Sequence, residues 1–238
     1  MSIFESMIYF YHPDINDGSL ELPEDEHQHC SRVLRKSAGD EVGIFDGRGG
    51  EFHVRLTEVS KKKTQFEIIE RKKMDRKPFY NHIAIAPTKN TDRIEWFVEK
   101  ACELGVDEIS FILTKNCERN KLRIDRLEKK AVSALKQSKN GYLTKINELI
   151  KIKDFISKAQ ADSKHIAVVE QGLPYYGTLI EKHANILTLI GPEGDFTAEE
   201  SELAEASGFQ KVSLGKSVLR TETAGLMASH FVNMVNGF

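Results

Sequence analysis

From residue 82 onward the sequence alternates between strand-like and helix-like stretches, and this alternation limits the fold more than any other feature. Short apolar runs of buried-strand character stand at 82–86 (HIAIA), 106–113 (VDEISFIL), 165–170 (HIAVVE), 186–190 (ILTLI) and 209–214 (FQKVSL). Helical periods lie between them. Residues 91–105 set Ile94, Phe97, Val98, Ala101 and Leu104 on one face and stop at Gly105. Residues 123–138 and 151–160 also read as helices. Thr197 and Glu200 have capping-box spacing at the head of a helix that Gly208 closes. The last helix, 221–235, carries Leu226, Met227, Phe231, Val232 and Met234, so it is either core or a subunit interface. Such alternation predicts an α/β domain with a mostly parallel sheet.

The front of the chain reads differently. MIYFY (7–11) is a short apolar strand, and 41–47 and 51–59 form a hairpin around Gly47, Gly49 and Gly50. TQFEIIE (64–70) alternates again, and 26–36 reads as a short helix. Many short strands with one helix predict a small β-barrel-like domain. The charged run 71–78 ends in a proline and marks the boundary. The chain therefore divides into 1–72, a linker at 73–80, and 81–238.

The formal net charge of -2 hides an uneven distribution. Residues 61–77 hold eight basic and three acidic side chains, and residues 115–145 hold ten and three. Two basic stretches on an acidic remainder point toward a polyanionic partner, against the plainer reading of two solvated surfaces. Three cysteines without close spacing (Cys30, Cys102, Cys117) fit a reducing cytoplasm better than a disulfide framework. The first 31 residues contain no Lys or Arg, so they lack the basic region of a secretory leader. No apolar run approaches the ~20 residues of a membrane helix.

Two strand-to-helix turns carry the motifs. LIGPEGDF (189–196) ends a buried strand in a stiff turn where Gly191 and Gly194 leave room for a ligand against the backbone. SLGKSVLRTETAG (213–225) repeats the arrangement. Gly215-Lys216-Ser217 is not a phosphate loop, because the glycine required five positions earlier is Gln210. Arg220 stands just before a helix, where a cation gains nothing from the dipole; it is either an ion-pair partner of Glu222 or a functional cation. His27, His29 and Cys30 have no fourth ligand at zinc spacing, so no metal is expected. No nucleophile elbow is present.

LIGPEGDFTAEE and VSLGKSVLRTETA resemble the two signature blocks of the RsmE family, the 16S ribosomal RNA uridine-N3 methyltransferases of the SPOUT superfamily. KNTDRIEWFVEKACELGVDEI (89–109) is similar too, and 27–52 resembles the family's PUA-like RNA-binding domain. The chain departs from the family's pattern at Asp195, where a second glycine is usual, at Lys136, and at Lys115-Asn116. The resemblance implies a C-terminal trefoil knot that binds S-adenosylmethionine. Glu170, Ile190, Gly191, Pro192, Gly194, Ser213, Leu214, Gly215, Val218 and Leu219 would hold the cofactor. Arg220 would stabilise the uracil anion, and Glu193 or Glu222 would orient it or take the proton. Arg32, Arg35, Lys36, Arg71, Lys72, Lys73 and Lys89 would grip the phosphates of 16S ribosomal RNA within the small subunit. The resemblance also implies a homodimer formed through the C-terminal domain, acting in the cytoplasm without metal or membrane. The rival readings are a ribosome-binding factor without activity and an unrelated α/β nucleotide-binding enzyme.

Overall fold

The computed structural model describes residues 7–238. Residues 1–6, part of the leader reading, lie outside the described residues. The chain forms two units, residues 7–76 with 132–143, and 77–131 with 144–238. The first unit thus includes a later segment that a linear division of the sequence at 73–80 does not assign to it.

In the first unit, β1 (Tyr9–Tyr11), β2 (Glu41–Phe45), β3 (Gly50–Val59) and β4 (Thr64–Lys73) form a sheet in that order. β1 runs parallel to β2, and the other pairs are antiparallel. Alternation along β3 explains its two faces. Phe52, Val54 and Leu56 point into a core with Phe10, Val42, Ile44 and Phe66. Between them Arg55 points outward and bridges Glu41 and Glu67. The hairpin turn is held by buried Asp46, whose carboxylate accepts N–H bonds from Arg48 and Gly50. α1 (Glu24–Gln28) continues as a wider π turn to Val33. It seats Cys30 in the core, while His27 bonds to Thr64 Oγ1 at 2.8 Å.

The second unit is a six-stranded sheet in the order β10-β8-β9-β5-β6-β7, with every pair parallel. Its strands are β5 (Tyr80–Ile85), β6 (Glu108–Leu113), β7 (Lys145–Lys151), β8 (Ser163–Ala167), β9 (Asn185–Ile190) and β10 (Gln210–Val212). The helices are α2 (Thr91–Glu103), α3 (Ile124–Ser138, whose last residues belong to the first unit), α4 (Ile152–Ile156), α5 (Ala198–Ala206) and α6 (Thr221–Asn236). α2 buries Ile94, Phe97, Val98 and Ala101, the face its periodicity predicts. Each such side chain contributes roughly 1.5–3 kcal/mol when fully buried. α6 packs against α2, β5 and β9. Gly225 permits that approach, since a Cβ there would lie 2.5 Å from the Phe97 ring.

Three details differ from the sequence reading. β7 begins at the last residue of the second basic stretch and is not among the strands expected from sequence. The helix expected at 151–160 is confined to Ile152–Ile156. The strands expected at 165–170 and 209–214 end at Ala167 and Val212, which releases their last residues into loops.

Candidate active site

Because every strand of the second sheet runs the same way, the loops leaving their carboxyl ends gather at one edge. The loops after β8, β9 and β10 enclose a cavity of about 780 Å³. That lies within the roughly 300–1,000 Å³ of small-molecule sites. The wall from β8 runs from Val168 through Glu170 to Tyr175, and the wall from β9 is Ile190–Glu193 with Asp195. Residues 213–219 close the third side, joined by Thr221 and Ala224 of α6.

Side-chain-to-backbone bonds hold these loops in register. Thr221 Oγ1 donates to the Gly191 carbonyl at 3.0 Å. Glu193 Oε1 accepts the Lys89 N–H, tying the β9 loop to the β5 loop at 3.1 Å. Asp195 Oδ2 accepts the Val169 N–H at 3.1 Å. Asn116 Nδ2, from the loop after β6, donates to the carbonyls of Gly194 and Asp195, both at 2.9 Å. Ser213 exchanges backbone bonds with Pro174 and Tyr176. At the foot of the turn Thr197 and Glu200 form the expected capping box on α5.

Of the sequence-derived candidates, Glu170, Ile190, Gly191, Pro192, Glu193, Ser213, Leu214, Gly215, Val218 and Leu219 line this one cavity. Gly194 does not. A Cβ on it would lie 3.3 Å from Asn116, and a Cβ on Gly191 would lie 3.1 Å from the Phe196 ring. A side chain at either position would press on its neighbour within the turn. Arg220 is exposed and is the residue from which α6 starts, just beyond the cavity wall. Glu222 is buried and faces Arg93, with Nε to Oε1 at 3.7 Å. The Arg220–Glu222 ion pair considered from sequence is replaced by this one. Glu222 Oε2 is buried without a hydrogen-bond partner.

The cavity wall carries the carboxylates Glu170, Glu193 and Asp195 against one Lys216. Lys211 lies 3.6 Å from Glu170 and 3.1 Å from Glu205, whose hydrogen bond leads in holding its ammonium above the usual lysine range. Arg32, Arg35, Lys36, Arg71, Lys72 and Lys73 belong to the first unit. All but Lys36 are exposed, and Lys36 reaches Asp40 at 4.0 Å. Lys89 belongs to the second unit, exposed and paired with Glu118 at 2.8 Å. Residues the sequence reading did not select are Tyr175, Thr221 and Asp195, all on the wall, and Asn116 behind it. A turn-favouring Asx residue next to Gly194 was the available signal for Asp195.

Residues 75–233 match the family model described as an RNA methyltransferase domain, and residues 22–69 match the one described as an RNA methyltransferase PUA domain. The crystal structure of a probable rRNA-methyltransferase from Porphyromonas gingivalis is similar over 97% of this chain and 99% of that one, with 40% identity and a TM-score of 0.89. That of a Ribosomal RNA small subunit methyltransferase E from Neisseria gonorrhoeae, bound to S-adenosyl methionine, matches with 27% identity and a TM-score of 0.85, over 97% and 98% of the two chains. A PUA-like unit joined to a parallel sheet with a loop-walled cavity makes this chain an RNA methyltransferase. The Ribosomal RNA small subunit methyltransferase E of Mesomycoplasma hyopneumoniae is 31% identical over 182 residues, 74% of this chain and 78% of that one. The chain belongs to the ribosomal RNA small subunit methyltransferase E family.

Proposed function

We propose that the cavity takes S-adenosylmethionine and that the chain transfers a methyl group to N3 of a uridine in 16S ribosomal RNA of the small subunit. The observation that carries this reading is the cavity itself, walled by three loops at the carboxyl edge of the sheet. Its residues fit the cofactor. Ile190, Pro192, Val218 and Leu219 offer apolar surface to an adenosine, and the backbone of Gly191, Leu214 and Gly215 offers polar groups beside it. Glu170 and Glu193 suit a positive sulfonium. When bound, the cofactor supplies an electrophilic methyl group.

The chain has three tasks. N3 of uracil carries a proton and lies on the Watson–Crick edge, so the base must leave its pair before it is reached. The walls then hold it in line, which lowers the barrier by fixing orientation. Arg220 steadies the anion spread over O2, N3 and O4, as a fixed cation beside developing charge. Glu193 is the carboxylate we assign to the N3 proton, because it stands on the wall while Glu222 is turned to Arg93. The exposed cations of the first unit position RNA through phosphates.

A trefoil knot fits the path of the tail. Ser213 is bonded to the loop after β8, and the chain must then return from β10 at the sheet edge to α6 beside β5 and α2. Exposed Trp96 on α2 and Met234 on α6 suit a homodimer through this unit. Three free thiols suit the cytoplasm, where ribosomal subunits are found.

Titration calorimetry with S-adenosylmethionine tests the cavity, and mass spectrometry of 16S RNA from a deletion strain tests the reaction. Cofactor binding and a missing methyl-uridine are expected. Binding with an unchanged RNA would instead favour a ribosome-binding factor.

A further inference from the structure

Asp195 is one of four non-glycine residues among those described with a left-handed backbone, at φ 58°. It occupies the turn that leaves β9. Asn and Asp tolerate this conformation better than other side-chain-bearing residues, but glycine adopts it most easily. The position therefore holds a less suitable residue, and its carboxylate is fully engaged. Oδ1 accepts the Phe196 N–H at 2.7 Å. Oδ2 reaches across to the Val169 N–H at 3.1 Å. The second bond joins two walls of the cavity that the backbone ladder does not join here, since β8 ends at Ala167 and β9 at Ile190. From behind, Asn116 Nδ2 grips the carbonyls of Gly194 and Asp195. The turn is thus fixed from one side by an amide and fixes the opposite wall by a carboxylate.

The geometry points to Asp195 as a positioning residue that sets the distance between the β8 and β9 walls and so prepares the cavity for the cofactor. This inference rests on the cofactor reading of the cavity. It assigns Asp195 no contact with reacting atoms. Without the side chain, the loop beginning at Val168 loses its tie to the turn at 191–196 and samples wider openings. Ordering it again on binding then weakens affinity. The energy involved is that of a charge-assisted hydrogen bond to a backbone N–H.

The test compares the full-length wild type with Asp195→Gly and Asp195→Asn. Glycine relieves the backbone and removes both bonds. Asparagine keeps the volume and tolerates φ > 0 but retains one carbonyl acceptor for two N–H groups. Calorimetry should show S-adenosylmethionine binding weakened about tenfold in Asp195→Gly and about threefold in Asp195→Asn. S-adenosylhomocysteine, which has no sulfonium charge, should lose the same factors. On small subunits from a methylation-deficient strain, KM for the cofactor should rise in parallel while kcat at saturation changes less than twofold.

Three results would overturn the inference. One is affinity within twofold of wild type in the folded variants; should Asp195→Gly not fold, Asp195→Asn alone decides. Another is a loss confined to the sulfonium ligand, which would assign Asp195 an electrostatic role. A wild type that binds neither ligand would overturn the cofactor reading and this inference with it.

Discussion

The two units solve the same problem of presenting polar chemistry on a hydrophobic frame in opposite ways. The first sheet is largely antiparallel and single-faced, with Phe52, Val54 and Leu56 inward and Arg55 outward. Its functional candidates are cations, all but Lys36 exposed, on the π turn after α1, the loop that follows it and the end of β4. The second sheet is parallel, and β5 is buried at Ile83, Ala84 and Ile85 without alternation, as a strand covered on both faces must be. Its candidates converge at one edge, and four side chains, Glu193, Asp195, Asn116 and Thr221, hold backbone groups of neighbouring loops. Dispersed charge tolerates the loss of one member, whereas a convergent site does not.

The sharpest break of that contrast is Arg220→Ala. Losing the cation we propose for the uracil anion should lower turnover about 10³-fold, the scale of an oxyanion-type donor. Cofactor affinity should stay within twofold, because Arg220 stands beyond the cavity wall. Single-turnover methylation of small subunits measures the first and calorimetry the second. Turnover near wild type would return Arg220 to the solvated surface.

Acid should strike the second unit through buried histidines. Burial pushes His165 on β8 and His82 on β5 down to about 4. His165 also meets the Tyr176 ring edge-on, and His82 bonds to Ser110 Oγ at 2.9 Å. In the unfolded chain these groups protonate near 6.5. Between those values the unfolded state binds more protons, so stability falls as pH falls. Glu108 adds to the loss from about 4.5 down to about 2. Burial alone would raise it, but the charge of protonated His82 and hydrogen bonds from Lys145, Asn147 and Tyr80 outweigh that. From pH 7 to pH 5 the loss is on the order of 2 kcal/mol per histidine, read as a falling melting temperature by circular dichroism. A flat profile over that range would mean that the imidazoles are not held neutral.

How much of this was legible depended on what each residue touches. α2 was legible because Ile94, Phe97, Val98 and Ala101 recur at helical spacing, and the capping box because both partners lie within four residues. β7 was not. It is an edge strand with Lys145, Glu148 and Lys151 exposed and no fully buried residue, so no long apolar run marks it. The two glycine turns could be read as a site because each follows a strand directly. Asn116 could not, because its partners lie 78 and 79 residues away and its role is to hold two carbonyls. The contacts that Asn116 and Phe196 make at the two glycines are likewise visible only in the fold. Local patterns identified the loops, whereas the ties between loops required the fold.

Dispersed charge should respond more gently. Replacing Arg71, Lys72 and Lys73 together with Ser should weaken binding to the small subunit about tenfold, or about 1.4 kcal/mol. The slope of log affinity against log salt should fall by up to about 3, since each phosphate contact contributes about one. Cofactor affinity should not change. Filter binding across a salt series measures this, and an unchanged slope would remove this end of β4 from the RNA surface.

The smallest effect separates the two units by how their helices begin. α5 starts from Thr197, whose Oγ1 accepts the Glu200 N–H at 3.3 Å while Glu200 Oε2 accepts the Thr197 N–H at 2.9 Å. Glu200 Oε1 also takes the Lys115 N–H at 2.8 Å, so the cap is tied to the loop after β6. α1 starts after Pro23 with no side-chain cap. Thr197→Ala should therefore cost about 1 kcal/mol, the usual worth of an N-cap hydroxyl. In a chain of this size that lowers the melting temperature by about 2–4 °C. Pro23→Ala removes no such bond and should shift it less. Thr197 is not on the cavity wall, so cofactor affinity should hold within twofold. A larger loss of affinity would mean that the head of α5 helps set the turn at 191–196, and that the convergent site extends one layer deeper than its walls.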